Sequence, residues 1–260
     1  MPSFLRNEMR QEPFLKYLTL VRDRIPSFDE YPFSIPAIRQ LGQLGQLDLH
    51  PKVTFLAGEN GSGKSTLLEA IALVEGLNAE GGSRNFSFST RESHSVLSQF
   101  LRLGRGTRPM RKADAFFFRS ESFYNVATEA ERLGVEYGNK SLHEQSHGES
   151  FLSLILNRFF GNGLYILDEP EAALSPSRQL SLLRAIYELV EGGSQFIIAT
   201  QSPIVLGYPD ATIYWLSDAG IAPIQYTETE HFRVTRSFLT QRETMLRELF
   251  RDGDKRAGEG

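Results

Sequence analysis

Four short, unbroken apolar runs stand out along the chain, at 53–57, 115–118, 164–167 and 196–200. A run that does not alternate marks a strand buried on both faces, as in a parallel sheet covered by helices. Helix-spaced segments lie between them. In the clearest, 175–191, Ser175 and Pro176 give a cap and a first-turn proline, and Gly192-Gly193 a stop. Leu180, Leu183, Ile186, Tyr187 and Val190 form its expected apolar face. Segment 14–25 reads as a strand, 31–49 as part of an antiparallel flap, and 76–114 as loop with one helix near 96–103. Near the end, Thr240-Gln-Arg-Glu243 is a capping-box pattern that predicts a short helix carrying Met245, Leu246, Leu249 and Phe250. Strand–helix alternation predicts an α/β class with a mostly parallel sheet.

The first of these runs leads into Gly58-Glu59-Asn60-Gly61-Ser62-Gly63-Lys64-Ser65-Thr66. This pattern predicts a loop whose glycines bend the backbone around phosphates, with a helix start adding its positive end. Lys64 is expected to reach the β- and γ-phosphates, Ser65 to ligate Mg²⁺, and Thr66 to touch the α-phosphate. The third run, Leu164-Tyr-Ile-Leu, ends in Asp168 and Glu169. Two adjacent carboxylates closing a buried strand need a cation or a reacting group. Asp168 is expected to hold Mg²⁺ through water, and Glu169, pointing the other way, to deprotonate an attacking water.

With these residues in view, the chain resembles the ATP-binding-cassette (ABC) ATPases, and among them a family of small standalone bacterial ATPases of ABC or AAA type. Asp168-Glu-Pro-Glu-Ala-Ala-Leu-Ser175 is similar to the Walker B segment and D-loop, with Ser175 where aspartate is usual. Gln145-Ser146-His147-Gly148-Glu149 is similar to the signature motif, and Phe196-Ile-Ile-Ala-Thr-Gln201-Ser-Pro to the switch strand. The resemblance extends to SLHEQSHGES and TEHFRVTRSFL and spans nearly the whole chain. It implies one domain over 1–260: a nucleotide-binding core of 1–75 and 161–230, a helical insert lobe of 76–160 bearing the signature, and a C-terminal helix and tail at 231–260. It further implies a homodimer that sandwiches ATP between one P-loop and the other copy's Ser146, His147, Gly148 and Glu149, and that drives a protein partner.

Gln201 departs from the usual switch histidine; an amide can hydrogen-bond phosphate and water but carries no proton or charge. Slower turnover is expected. Tyr31 and Phe33, upstream of the P-loop, are expected in the core rather than stacked on a base. Glu121, just past the second run, is better placed than Gln99 to watch the γ-phosphate. His143-Glu-Gln-Ser-His147 fits a zinc-protease pattern, but a helix beginning at His147 would take the histidines off one face.

Composition narrows the classes. With 40% hydrophobic and 23% charged residues the 260-residue chain is globular, and the absence of cysteine excludes disulfides, thiolate catalysis and cysteine-based metal sites. No run reaches the ~20 apolar residues that cross a bilayer, and 1–14 lacks a signal-peptide core, so a cytoplasmic protein without membrane insertion is expected. Net charge is −4, yet eight basic residues against Glu92 and Asp114 fall between Arg84 and Arg119. The stretch Arg102–Lys112 keeps nucleic acid as a second-ranked partner. A transporter subunit and a DNA-repair or phage-defence ATPase are the alternative functions.

Overall fold

A computed structural model describes residues 11–82, 96–107, 114–122 and 147–256. Its centre is a six-stranded sheet in the order β5-β6-β7-β3-β8-β9. The strands are β3 (Val53–Gly58), β5 (Asp114–Arg119), β6 (Gly163–Asp168), β7 (Gln195–Ala199), β8 (Thr212–Ser217) and β9 (Gly220–Ile224). All neighbours are parallel except β8 and β9, which form an antiparallel edge. The four apolar runs are thus β3, β5, β6 and β7, four contiguous strands of the six, which need cover on both faces. Within β3, Val53, Phe55 and Ala57 enter one core layer and Leu56 the other.

On the first face lie α4 (His147–Arg158) and α5 (Pro176–Glu191), packed over Phe116, Phe118, Tyr165 and Phe196. The buried residues of α5 are Leu182, Ala185, Ile186 and Val190. Leu180, expected inside, is 60% exposed, and Tyr187 is also at the surface. The helix is turned by about one residue position relative to the expected face, because the sheet, not the periodicity, decides which edge of a wide apolar stripe goes inward.

The opposite face carries α2 (Lys64–Val74) and a small sheet of β2 (Leu47–Asp48), β1 (Leu15–Leu20) and β4 (Leu101–Arg105), in the order β2-β1-β4. Both pairings are antiparallel, as expected of the flap. Three details differ from expectation. Residues Pro36–Leu44 form a helix, α1, with proline in its first turn, Ala37, Ile38 and Leu41 buried, and Gly45 (φ 79°) after its end. Strand β1 ends at Leu20 rather than running on to residue 25. The helix near 96–103 is one turn, α3 (Leu97–Phe100), and Leu101 onward is strand because β1 offers it a partner.

Gln195 stitches the two sheets together. Fully buried, its Oε1 accepts from the Phe14 and Leu15 N–H groups, both at 2.9 Å, while Nε2 donates to Leu15 O at 2.8 Å and His50 O at 3.0 Å. The last element, α6 (Glu230–Arg256), is two helices joined across a kink at Gln241 (φ −133°, ψ 32°), so a helix does begin just past Thr240 as expected. Thr240 Oγ1 donates back to Arg236 O at 2.8 Å, so it closes the last turn of the first helix rather than capping the second. No helix among the described residues is long and apolar enough to cross a membrane.

Candidate active site

The carboxyl ends of β5, β6, β7 and β3 come into line, with Arg119 opposite Asp168, Asp168 opposite Ala199, and Ala199 opposite Leu56. Every chemically suggestive residue of the core sits on this edge, where open α/β sheets bind ligands. Residues Gly58–Gly63 leave β3 and turn into α2. Gly58 has φ 140°, and a Cβ there would lie 2.1 Å from Leu216 O of the paired strand β8; no other residue fits. Gly63 (φ 99°) is the N-cap of α2, and its missing Cβ leaves room for Ile35.

Lys64, at the first position of α2, is nearly buried. Its Nζ donates to Gly58 O at 2.8 Å and Glu59 O at 2.7 Å, so the loop curls around its own lysine. Burial lowers its pKa, an effect opposed by Glu169, Asp168, Glu171 and Glu59. A cation held this way favours an anion that would replace two carbonyls. Ser62 Oγ is buried with no hydrogen-bond partner, a second unmet demand inside the loop.

Ser65 Oγ donates to Asp168 Oδ1 at 3.0 Å. Burial pushes the Asp168 carboxyl up to about 6, with Ser65 and Arg119 pulling it down and Glu169 and Glu121 pushing it further up. The hydroxyl–carboxylate pair is the donor set a hard divalent cation accepts, so the residues fit Mg²⁺. Glu169 follows with φ 50°, a left-handed turn that costs a non-glycine residue energy. There Gln201 Nε2 donates to Glu169 Oε1 at 3.1 Å and to Asn60 Oδ1 at 2.6 Å. A cavity of about 480 Å³ opens beside these groups, lined by Glu59, Asn60, Gln201, Glu230, His231 and Val234 among others.

A glycine-rich loop around a buried lysine, facing a serine–aspartate pair, is the site of P-loop nucleotide-binding proteins. A family model described as "AAA domain, putative AbiEii toxin, Type IV TA system" matches residues 53–158 and 138–207. The chain belongs to that AAA-domain family. Similar solved structures include cbiO1 from Clostridium perfringens, described as part of the ABC transporter complex cbiONQ. It shares 20% identity, with 78% of this chain and 90% of that chain covered and a TM-score of 0.44. An SMC head domain from Thermotoga maritima shares 18% identity over 82% of this chain and 99% of that one, also with a TM-score of 0.44.

In this AAA-domain chain, Lys64, Ser65, Asp168, Glu169, Asn60 and Gln201 converge on one edge, from positions up to 141 residues apart. Ser146 lies outside the described residues. His147, Gly148 and Glu149 begin α4, whose body packs on the face of the sheet opposite α2. Glu121 is exposed near Arg119, whose guanidinium bonds Glu69 at 2.8 Å and approaches Asp168 at 3.8 Å. Of the basic stretch, Arg105 pairs with Glu75 at 2.9 Å and Arg102 with local carbonyls; 108, 111 and 112 lie outside the described residues.

Sequence reasoning misplaced or passed over three residues. Phe33 is buried as expected, but Tyr31 is 73% exposed, with its hydroxyl 3.3 Å from Thr66 Oγ1. Glu171 accepts from the Gln201 N–H at 2.7 Å, and the acid in an otherwise small and apolar loop, Pro170 to Leu174, was the available signal. His231, at the start of α6, lies between the P-loop and Trp215, 5.3 Å from the indole, with Nε2 buried and unpartnered. Burial and then the charge of Lys64 lower its pKa. The family resemblance covers its segment, TEHFRVTRSFL, but gives the histidine no role.

Proposed function

We propose that this chain binds ATP with magnesium and hydrolyses it to ADP and phosphate, as the switch of a homodimer that acts on a protein partner in the cytoplasm. The observation that carries the reading is the convergence of Lys64, the Ser65–Asp168 pair and the Gln201–Glu169 contact around one loop. The first-turn N–H groups of α2 lack helical partners and are available to phosphate oxygens. Lys64 exchanges its two carbonyls for the β- and γ-phosphates. Ser65 directly, and Asp168 through water, would hold Mg²⁺, which supplies charge neutralisation across those phosphates. Glu169 takes a proton from water as its oxygen attacks the γ-phosphorus; the bond to the bridging oxygen breaks and ADP leaves. Gln201 orients that water as a neutral donor and acceptor.

Tyr31 supports the choice of a nucleoside over a bare polyphosphate, because its exposed ring beside Thr66 offers a base a stacking platform. The seating of α4 across the sheet from α2 supports a signature that serves another copy's P-loop. Calorimetry tests the reading. Lys64→Ala should weaken MgATP binding about 10- to 100-fold, the range for losing charge-assisted bonds to phosphate. Tyr31→Ala should weaken ATP by about 5- to 100-fold while leaving inorganic tripolyphosphate unaffected. A folded Lys64→Ala protein that binds MgATP like the parent rules out the site.

A further inference from the structure

The loops that follow β6 and β7 run side by side, and their contact is made by an acid with no role in the chemistry above. Strand β7 ends at Ala199, and the Thr200 N–H is the last to find a neighbouring strand, donating to Leu56 O at 3.2 Å. The next two N–H groups, of Gln201 and Ser202, have run past the sheet and need acceptors from elsewhere. Both donate to one oxygen, Glu171 Oε1, at 2.7 Å and 3.2 Å. A second tie runs from Ser202 Oγ to Gln179 Oε1 at 2.6 Å, and from Gln179 Nε2 to Leu174 O at 3.1 Å. The Glu171 carbonyl in turn takes the Leu174 N–H at 2.8 Å, which holds the loop shut around its own acid.

We propose that Glu171 is the positioning residue of the switch: by gripping the backbone of Gln201 it aims that side chain at Glu169 and Asn60, and it does so through acceptor geometry rather than charge. The inference rests on the ATP-hydrolysis reading of the same site. Two features separate it from a purely structural bond. Burial raises the carboxyl's pKa against the pull of the Gln201 N–H and the Thr200 side chain, a poor arrangement if stability were the purpose. The gripped residue is the one whose amide meets Glu169, 3.1 Å away, so an error in its backbone is passed directly to the reacting water.

The test combines a conservative rescue with a mutant cycle. Glu171→Met removes the acceptor at similar volume; it should lower kcat about tenfold and leave the MgATP Kd within about twofold. Glu171→Gln keeps an oxygen at the same reach and should stay within about threefold of the parent kcat. Adding Glu171→Met to Gln201→Ala should cost nothing beyond Gln201→Ala alone, because the two act as one unit. Glu171→Asp, one methylene short, should fall between and serves if Glu171→Met does not fold. Parental kcat in Glu171→Met, losses that multiply with Gln201→Ala, or no rescue by glutamine each overturn the proposal. Amide hydrogen exchange separates this from failure of the ATP reading. If the parent binds no MgATP, Gln201 and Ser202 amides that exchange no faster in Glu171→Met than in the parent also remove the grip.

Discussion

Asp168 closes β6 with 4% of its surface exposed, one oxygen on Ser65 and a neighbouring carboxylate, Glu169, in sequence. Its carboxyl is pushed up to about 6 from an ordinary 3.8, chiefly by burial. The folded protein therefore holds that proton more firmly than the unfolded chain. The destabilisation is absent below about pH 4, grows as pH rises toward 6 and is complete above it. Two pKa units correspond to roughly 3 kcal/mol. Asp168→Asn should then melt higher than the parent at pH 8 without nucleotide or magnesium, and the gap should close by pH 4. A variant no more stable than the parent at pH 8 would show that burial is not what strains this site. At the same scale, Lys64, Ser65 and Asp168 were legible because each belongs to a short local pattern. Tyr31, Glu171 and His231 were not, because each is defined by a partner far along the chain: Thr66, Gln201 and Trp215.

Among the elements, the buried strands were read to within a residue or so because a run with no polar member has few other places to go. The N-terminal lobe was read less well. Segment 31–49, with its prolines and glycines, reads as part of an antiparallel flap, yet Pro36 starts α1 and Gly45 follows its end. Strand β4 exists because β1 pairs with it from Leu15 to Leu20, a relation no local propensity encodes. The joint between this lobe and the core rests on Gln195, which satisfies backbone groups of Phe14, Leu15 and His50 from inside β7. Replacing it by leucine leaves four buried polar groups to find new partners. A loss of about 2–4 kcal/mol is expected, read as a lower urea midpoint with MgATP affinity retained in the folded fraction. An unchanged midpoint would mean that the lobe is held by its apolar layer alone.

For the whole molecule, the site is open along one edge, and its own α4 is committed to the other face of the sheet. The outer surface of α6 adds exposed Leu239, Leu249 and Phe250 near the C-terminal end. In the proposed homodimer, a second copy closing over the P-loop would make the oligomer depend on the nucleotide. Glu169→Gln, which keeps the hydrogen-bonding shape but not the base, should trap that state. Light scattering should show its mass doubling when MgATP is added, and ADP should not produce the change. A species that stays monomeric under saturating MgATP would exclude the sandwich while leaving nucleotide binding untouched.

By itself the sequence determined the α/β class, the phosphate loop and the acid pair, since these depend on residues adjacent in the chain and on a burial pattern of short period. Only the tertiary structure decided which face of α5 goes inward, that Leu101–Arg105 is strand, that Tyr31 is exposed beside Thr66, and that Glu171 holds the backbone of Gln201. Those outcomes are set by the strand order, which places the ends of β6, β7 and β3 side by side and so chooses partners that no local window of the sequence contains.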